Sequence, residues 1–241
     1  MLHPSAPLLS YASCYLLFFG LLWVCKSQRA HRLFDEDDLV ATPWLLIALH
    51  VGGIFLFGVV PAVFSHNLSF APKTGSAETM LPTIITVLLT VLFSLLSPRL
   101  AEKKYRALLR ASETPAGLGG AYISTYFLVR VVFICAYESW FRGGLLQDST
   151  AYFGAPVAVL LNVALYAALH VVNGKAEVLG CLPFGLLLCG LCLWQGAVWP
   201  AMALHLALTL PYELWYWRNI PHFIPLRHEN ISDGSVRLHR Q

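Results

Sequence analysis

Apolar residues in this chain fall into seven long runs separated by short stretches rich in Gly, Pro, Asn, Ser and charge. The runs cover about residues 7 to 25, 43 to 64, 80 to 97, 120 to 146, 156 to 172, 177 to 194 and 198 to 217. Crossing about 30 Å of hydrocarbon takes roughly 20 apolar residues in a helix, and each run is close to that length. The pattern therefore predicts an all-α fold, a polytopic membrane bundle of about seven transmembrane helices. Residues 1–241 are expected to form a single membrane domain, with N-terminal spans and loops over 1–119 and a cytoplasmic tail over 218–241.

Composition excludes an ordinary soluble domain. Hydrophobic residues make up 57% of the chain and charged residues 12%, against about 25% charged in soluble domains, and mean hydropathy is +0.64. Met1 to Ser10 contains no Lys or Arg and runs into a full-length span, so the first segment is expected to be retained rather than cleaved as a signal. It otherwise reads as a featureless anchor. The loops carry the orientation signal. Lys26, Arg29 and Arg32 follow the first run, Arg99, Lys103, Lys104, Arg106 and Arg110 the third, and Lys175 the fifth, while Arg218, Arg227, Arg237 and Arg240 lie in the tail. Lys73 stands alone on the other side, which predicts an N-terminus outside and a cytoplasmic C-terminus, in a plasma or inner membrane.

Most remaining features have a plain reading. The acidic run Asp35 to Asp38 reads as a solvated loop, and Gly52-Gly53 as a place of close helix packing. Ser65 to Thr79 has the turn residues of a loop, within which Asn67-Leu68-Ser69 fits a glycosylation acceptor pattern. Arg99 to Arg110 interleaves basic and apolar residues, as an interfacial helix on anionic lipid does; lipid is the expected partner there and nucleic acid is not. Pro115 to Gly120 reads as a hinge. The six cysteines lie in or at the ends of spans and read as small apolar residues, the Cys189-x-x-Cys192 pair included. No inverted repeat points to a transporter.

Chemistry concentrates in Ala136-Tyr137-Glu138-Ser139-Trp140-Phe141-Arg142-Gly143-Gly144. A charge at bilayer depth costs about 2.5–3.5 kcal/mol on insertion scales and marks a functional candidate. Arg130, Ile134, Glu138 and Arg142 share one helix face, as do Asn162, Tyr166 and His170 on the fifth run and His205, Thr209 and Glu213 on the seventh. Such stripes should turn inward. At 1.5 Å per residue, with outer ends near Gln147, Pro156 and Trp199, Glu138 lies roughly 13 Å deep, His170 roughly 21 Å and His205 roughly 9 Å. Arg130 reads as a paired or snorkelling scaffold residue, and His50, lacking any partner in the sequence, as structural.

These residues carry a resemblance. Tyr137-Glu138-Ser139-Trp140-Phe141-Arg142-Gly143, Tyr166-Ala167-Ala168-Leu169-His170 and Trp199-Pro200-Ala201-Met202-Ala203-Leu204-His205, with the Gly-bearing Leu182 to Gly190 between the last two, resemble the CAAX prenyl protease and bacteriocin-processing (CPBP, or ABI) family, whose motifs are EExxxR, FxxxH and HxxxN or HxxxB. The likeness runs over about 120–215, the protease-like core, and implies a metal-free, glutamic-type intramembrane endopeptidase cleaving a membrane-associated protein tail or anchor. Carried over residue by residue, His170 matches the water-binding His, His205 the later His, Glu138 the second Glu and Arg142 the motif Arg; the expected catalytic set is Glu138, His170, His205 and Thr209, with Arg142, Tyr137, Tyr166 and Asn162 in support. Tyr137 stands where the family has its first Glu, and Thr209 where it has Asn. Tyr is a poor base near neutral pH, its unperturbed pKa being about 10.

Three readings stay open. Glu138 activates water with His170 while His205 and Thr209 steady the oxyanion; or Glu138 and Arg142 form a structural pair in a catalytically degenerate binding or immunity-type membrane protein; or Glu213 supplies the carboxylate. The resemblance implies no cofactor, although a Glu with two His is also a zinc-like donor set. The expected partner is a protein or peptide with a membrane-proximal tail. The estimated depths favour presentation from the extracytoplasmic side over a cytoplasmic prenylated tail.

Overall fold

A computed structural model describes residues 5–34, 40–64, 77–108 and 119–219. Asp35 to Asp38, Asn67-Leu68-Ser69, Lys73, residues 115–118 of the expected hinge, and the basic residues of the tail beyond 219 lie outside the described residues.

Among the described residues seven long helices account for the seven apolar runs. They are α1 (Ser5–Ser27); α2 (Pro43–Ile54, prolonged by a π-helical turn, Phe55–Val59, and a last turn, Val60–Phe64); and α3 (Ala77–Leu108). Next come α4 (Gly120–Glu138, then a π-helical turn, Ser139–Leu145, then Leu146–Phe153) and α5 (Ala155–Leu169, closed by a 3-10 turn, His170–Asn173). The last two are α6 (Lys175–Gln195) and α7 (Trp199–Asn219). Six are long and apolar enough to cross a membrane; the seventh, α7, bears His205, Thr209, Glu213 and Arg218. Pro43, Pro156 and Pro200 sit at or next to the first helical position, where the missing N–H would have no partner anyway.

Burial follows from lipid as the solvent. On α3 a broad face of Met80, Ile84, Leu88, Leu92 and Leu95 is exposed, as suits an integral membrane protein whose outer surface meets hydrocarbon. The interior is aromatic: Tyr11, Tyr15, Phe18, Phe57, Phe133, Tyr137, Trp140, Phe141 and Tyr166 form one cluster.

Two expectations change. The first helix is no featureless anchor. Tyr11, Tyr15, Phe18, Leu22 and Cys25 form a buried stripe at three- and four-residue spacing. Tyr11 donates to Asp148 Oδ2 (2.8 Å), Tyr15 to the Leu165 carbonyl (2.9 Å) and Lys26 Nζ to the Val172 carbonyl (2.6 Å), tying α1 to α4 and α5. The basic stretch after the third run is not a separate interfacial helix as far as Leu108: it prolongs α3 without a break, Pro98 included.

The ends of the helices sort into two groups. The end of α1, the start of α2, the end of α5 and the start of α6 meet the ends of α3 and α7 at one side, through Arg32–Glu177 (3.0 Å), Phe34 stacked on Tyr216 (4.7 Å) and Ala101 against Tyr216. The described loop cations Lys26, Arg29, Arg32 and Lys175 lie at this basic end.

Close approach between helices depends on two glycines. A Cβ on Gly53 would overlap the Phe133 ring and come within 2.9 Å of Phe18, and one on Gly144 would lie 2.6 Å from the Tyr11 hydroxyl. Gly53→Leu is therefore expected to lower stability by about 1–3 kcal/mol through overpacking, measured by thermal unfolding in detergent. Gly190→Ala, whose Cβ meets open space, should show no loss. Equal melting of the two variants would contradict the packing described.

Candidate active site

The centre of the site is a buried carboxylate at a break in helical register. Glu138 ends the regular part of α4, and the wider π-helical turn that follows, Ser139–Leu145, is buried at every residue. Such turns leave a carbonyl without its usual partner and recur at functional sites. Asn162 Nδ2, from α5, donates to the Phe141 carbonyl at 2.6 Å and supplies one.

Glu138 and Arg142 have no exposed side-chain surface at all, so water does not reach the carboxylate directly. Both of its oxygens accept from protein donors: Oε2 from Arg142 Nη1 (3.0 Å) and Oε1 from His205 Nδ1 (2.5 Å). The guanidinium lies over the Tyr166 ring, 4.4 Å from its centroid, a cation–π contact that lowers the cost of burying it. Among the described residues the hydrogen bonds of Glu138 go to Arg142 and His205 and none goes to His170.

His205 and His170 are set up alike. His205 Nδ1 faces a carboxylate and His170 Nδ1 the Tyr166 carbonyl (2.9 Å), both acceptors, so Nδ1 carries the proton. Each neutral ring then has its lone pair on Nε2. His170 closes α5 as the first residue of the 3-10 turn, held from below by Lys26 on Val172. Tyr137 is buried with its ring 5.9 Å from His205 and 6.1 Å from Tyr166.

Both imidazoles border a cavity of about 430 Å³ that Arg130, Tyr166, Thr209 and Glu213 also line. Its far wall is Arg32, Asn173, Ala176 and Glu177, so it opens at the basic end of the bundle. The helix ends differ from those taken for the depths: α4 continues past Gln147 to Phe153, and in the α6–α7 turn Ala197 and Val198 are 2% exposed. Among the described residues no group of three His, Cys, Asp or Glu side chains has metal-holding geometry, and the six cysteines are free thiols.

One polar network escaped the sequence reading. His50 donates from Nδ1 to the Leu46 carbonyl (2.6 Å) and accepts at Nε2 from Arg130 Nη1 (2.8 Å). Arg130 Nη2 meets Glu213 Oε1 at 3.2 Å, and Tyr126 donates to Glu213 Oε2 at 3.0 Å. Glu213 is thus a tied counter-ion on the cavity wall rather than a free carboxylate. Opposite charges in two separate apolar runs were the one available clue, since each needs a partner in lipid. Glu213→Ala should destabilise the protein by about 3–5 kcal/mol by stranding Arg130, and Arg130→Met with Glu213→Leu should recover most of it, both read by thermal unfolding. No rescue in the double variant would show that the two side chains act separately.

No curated protein and no solved structure matches the chain. Residues 119–210, the stretch that holds Tyr137, Glu138, Arg142, Asn162, Tyr166, His170, His205 and Thr209, match the family model described as type II CAAX prenyl endopeptidase Rce1-like, so over that stretch this membrane protein is similar to that family.

Proposed function

We propose that the protein is an intramembrane endopeptidase that cuts a membrane-associated protein tail. The observation that carries this reading is the 2.5 Å hydrogen bond from His205 to the buried Glu138 at the wall of a large cavity shared with His170. A carboxylate on Nδ1–H fixes the imidazole tautomer and stabilises the imidazolium that forms when Nε2 takes a proton. In this mechanism Glu138 orients His205, and Arg142 holds Glu138. His205 Nε2 is the general base for water attacking the scissile carbonyl, His170 Nε2 accepts the water's other hydrogen, and the Thr209 hydroxyl, one turn beyond His205, donates to the oxyanion.

The basic end faces the cytoplasm under the rule that Lys and Arg gather on that side, with the N-terminus outside and the C-terminus inside. Substrate then enters from the cytoplasmic face, where the cavity opens. The prenylated tail in the family's description is the first substrate class to test.

The test is cleavage of a prenylated C-terminal reporter peptide by the full chain in liposomes. Glu138→Gln and His205→Ala are each expected to lower kcat by about 10²–10⁴-fold while the variants remain folded by thermal unfolding. Cleavage by both variants at the wild-type rate would remove the assignment. Binding of the tail without cleavage by any form would favour a non-cutting membrane partner, the reading that Tyr137 in place of a Glu supports.

A further inference from the structure

A second cavity, of about 110 Å³, adjoins the first and shares Arg32, Arg130, His170, Asn173 and His205 with it. Tyr137, Arg130, His170 and His205 border it, its remaining wall includes Leu22, Leu49 and Val172, and its margin reaches His31 and Arg32 in the α1–α2 loop at the basic end. The volume admits a few water molecules at about 30 Å³ each, and it is too small for a peptide.

We propose that this smaller cavity binds the hydrolytic water and leads it in from the basic end, with the Tyr137 hydroxyl as its fixed hydrogen-bond partner. The inference rests on the endopeptidase reading and adds where that enzyme's water sits. Three observations carry it. The Tyr137 hydroxyl is buried, the residue being 4% exposed, and has no hydrogen-bond partner among the described residues. Buried hydroxyls are almost always satisfied by protein or ordered water, and Tyr137 borders a space of the right size. The Nε of Arg130, on the same cavity, is likewise buried without a partner among the described residues. His170 and His205 border both cavities, so a peptide in the larger and a water in the smaller meet at the same pair of rings.

A site enclosed by hydrocarbon needs such a separate supply, because a lipid-anchored peptide filling the larger cavity blocks that route to solvent. Tyr137 takes over the holding part of the missing Glu and leaves proton removal to His205. The water oxygen bonds to the carbonyl carbon as one of its protons passes to His205 Nε2. That proton then moves to the leaving nitrogen, the C–N bond breaks, and the water oxygen stays in the new carboxyl group.

Three variants separate the cavities, with His205→Ala as the control for the parent reading. Tyr137→Phe removes only the hydroxyl, and Leu49→Phe fills the small cavity from α2. Each is expected to lower kcat about tenfold or more, the equivalent of one lost hydrogen bond in the transition state, with KM unchanged. Gly180→Leu fills the larger cavity, where a Cβ meets nothing within 4 Å, and should raise KM with kcat retained. If Tyr137→Phe and Leu49→Phe cleave the prenylated reporter as wild type does while His205→Ala does not, the water site is overturned and the peptidase stands. A raised KM at unchanged kcat in those two variants would assign the cavity to the peptide instead, which also overturns it. If wild type cuts no faster than His205→Ala, the peptidase reading falls and the water site with it. Should Leu49→Phe fail to fold, the isosteric Tyr137→Phe decides alone.

Discussion

One carboxylate, Glu138, sets the terms for the centre of this protein. It lies without solvent contact among helices in a lipid environment, where an uncompensated charge is costly, and it is held by two donors from different elements, Arg142 on its own helix and His205 on α7. Removing Arg142 would strand the carboxylate's charge, and the hydrogen bond from His205 ties α4 to α7. The wide turn of α4, the Asn162 side chain that meets its Phe141 carbonyl, and the Tyr166 ring under the guanidinium all serve the same end.

The same helix manages a second charge on its inner half. Arg130 reaches His50 on α2 and Glu213 on α7, and Tyr126 completes the carboxylate's bonds. Two ionic clusters, two turns of helix apart, therefore join α4 to α7, and the larger cavity lies along the same seam. Polar contacts so placed cost desolvation, yet they fix helix register where apolar packing against lipid-like neighbours discriminates poorly. The first helix, outside the Rce1-like stretch, contributes Tyr15 and Lys26 to backbone carbonyls of α5 on either side of His170.

The larger cavity runs from Arg32 and Glu177 at the basic end to the histidine pair. Both rings have Nδ1 committed to an acceptor, which leaves Nε2 as the basic atom of each. Tyr137 stands beside this pair, and a phenol, with an unperturbed pKa of about 10, is a poor base near neutral pH.

Run length and hydropathy alone were enough for seven helices, because a backbone in hydrocarbon has no other way to satisfy its amides. The i, i+4 spacing made Glu138–Arg142 legible, and the motifs pointed to His170 and His205. What spacing cannot express is which helix faces which. Only the tertiary structure paired Glu138 with His205, paired Arg130 with Glu213 and His50 across 80 or more positions of chain, and gave α1 its buttressing contacts. Helix ends were illegible for the same reason: α4 continues to Phe153, and the α6–α7 turn is buried at Ala197 and Val198. Residue type and periodicity fix what a helix must bury, but partners, depth and the two cavities arise from how seven such helices share one interior.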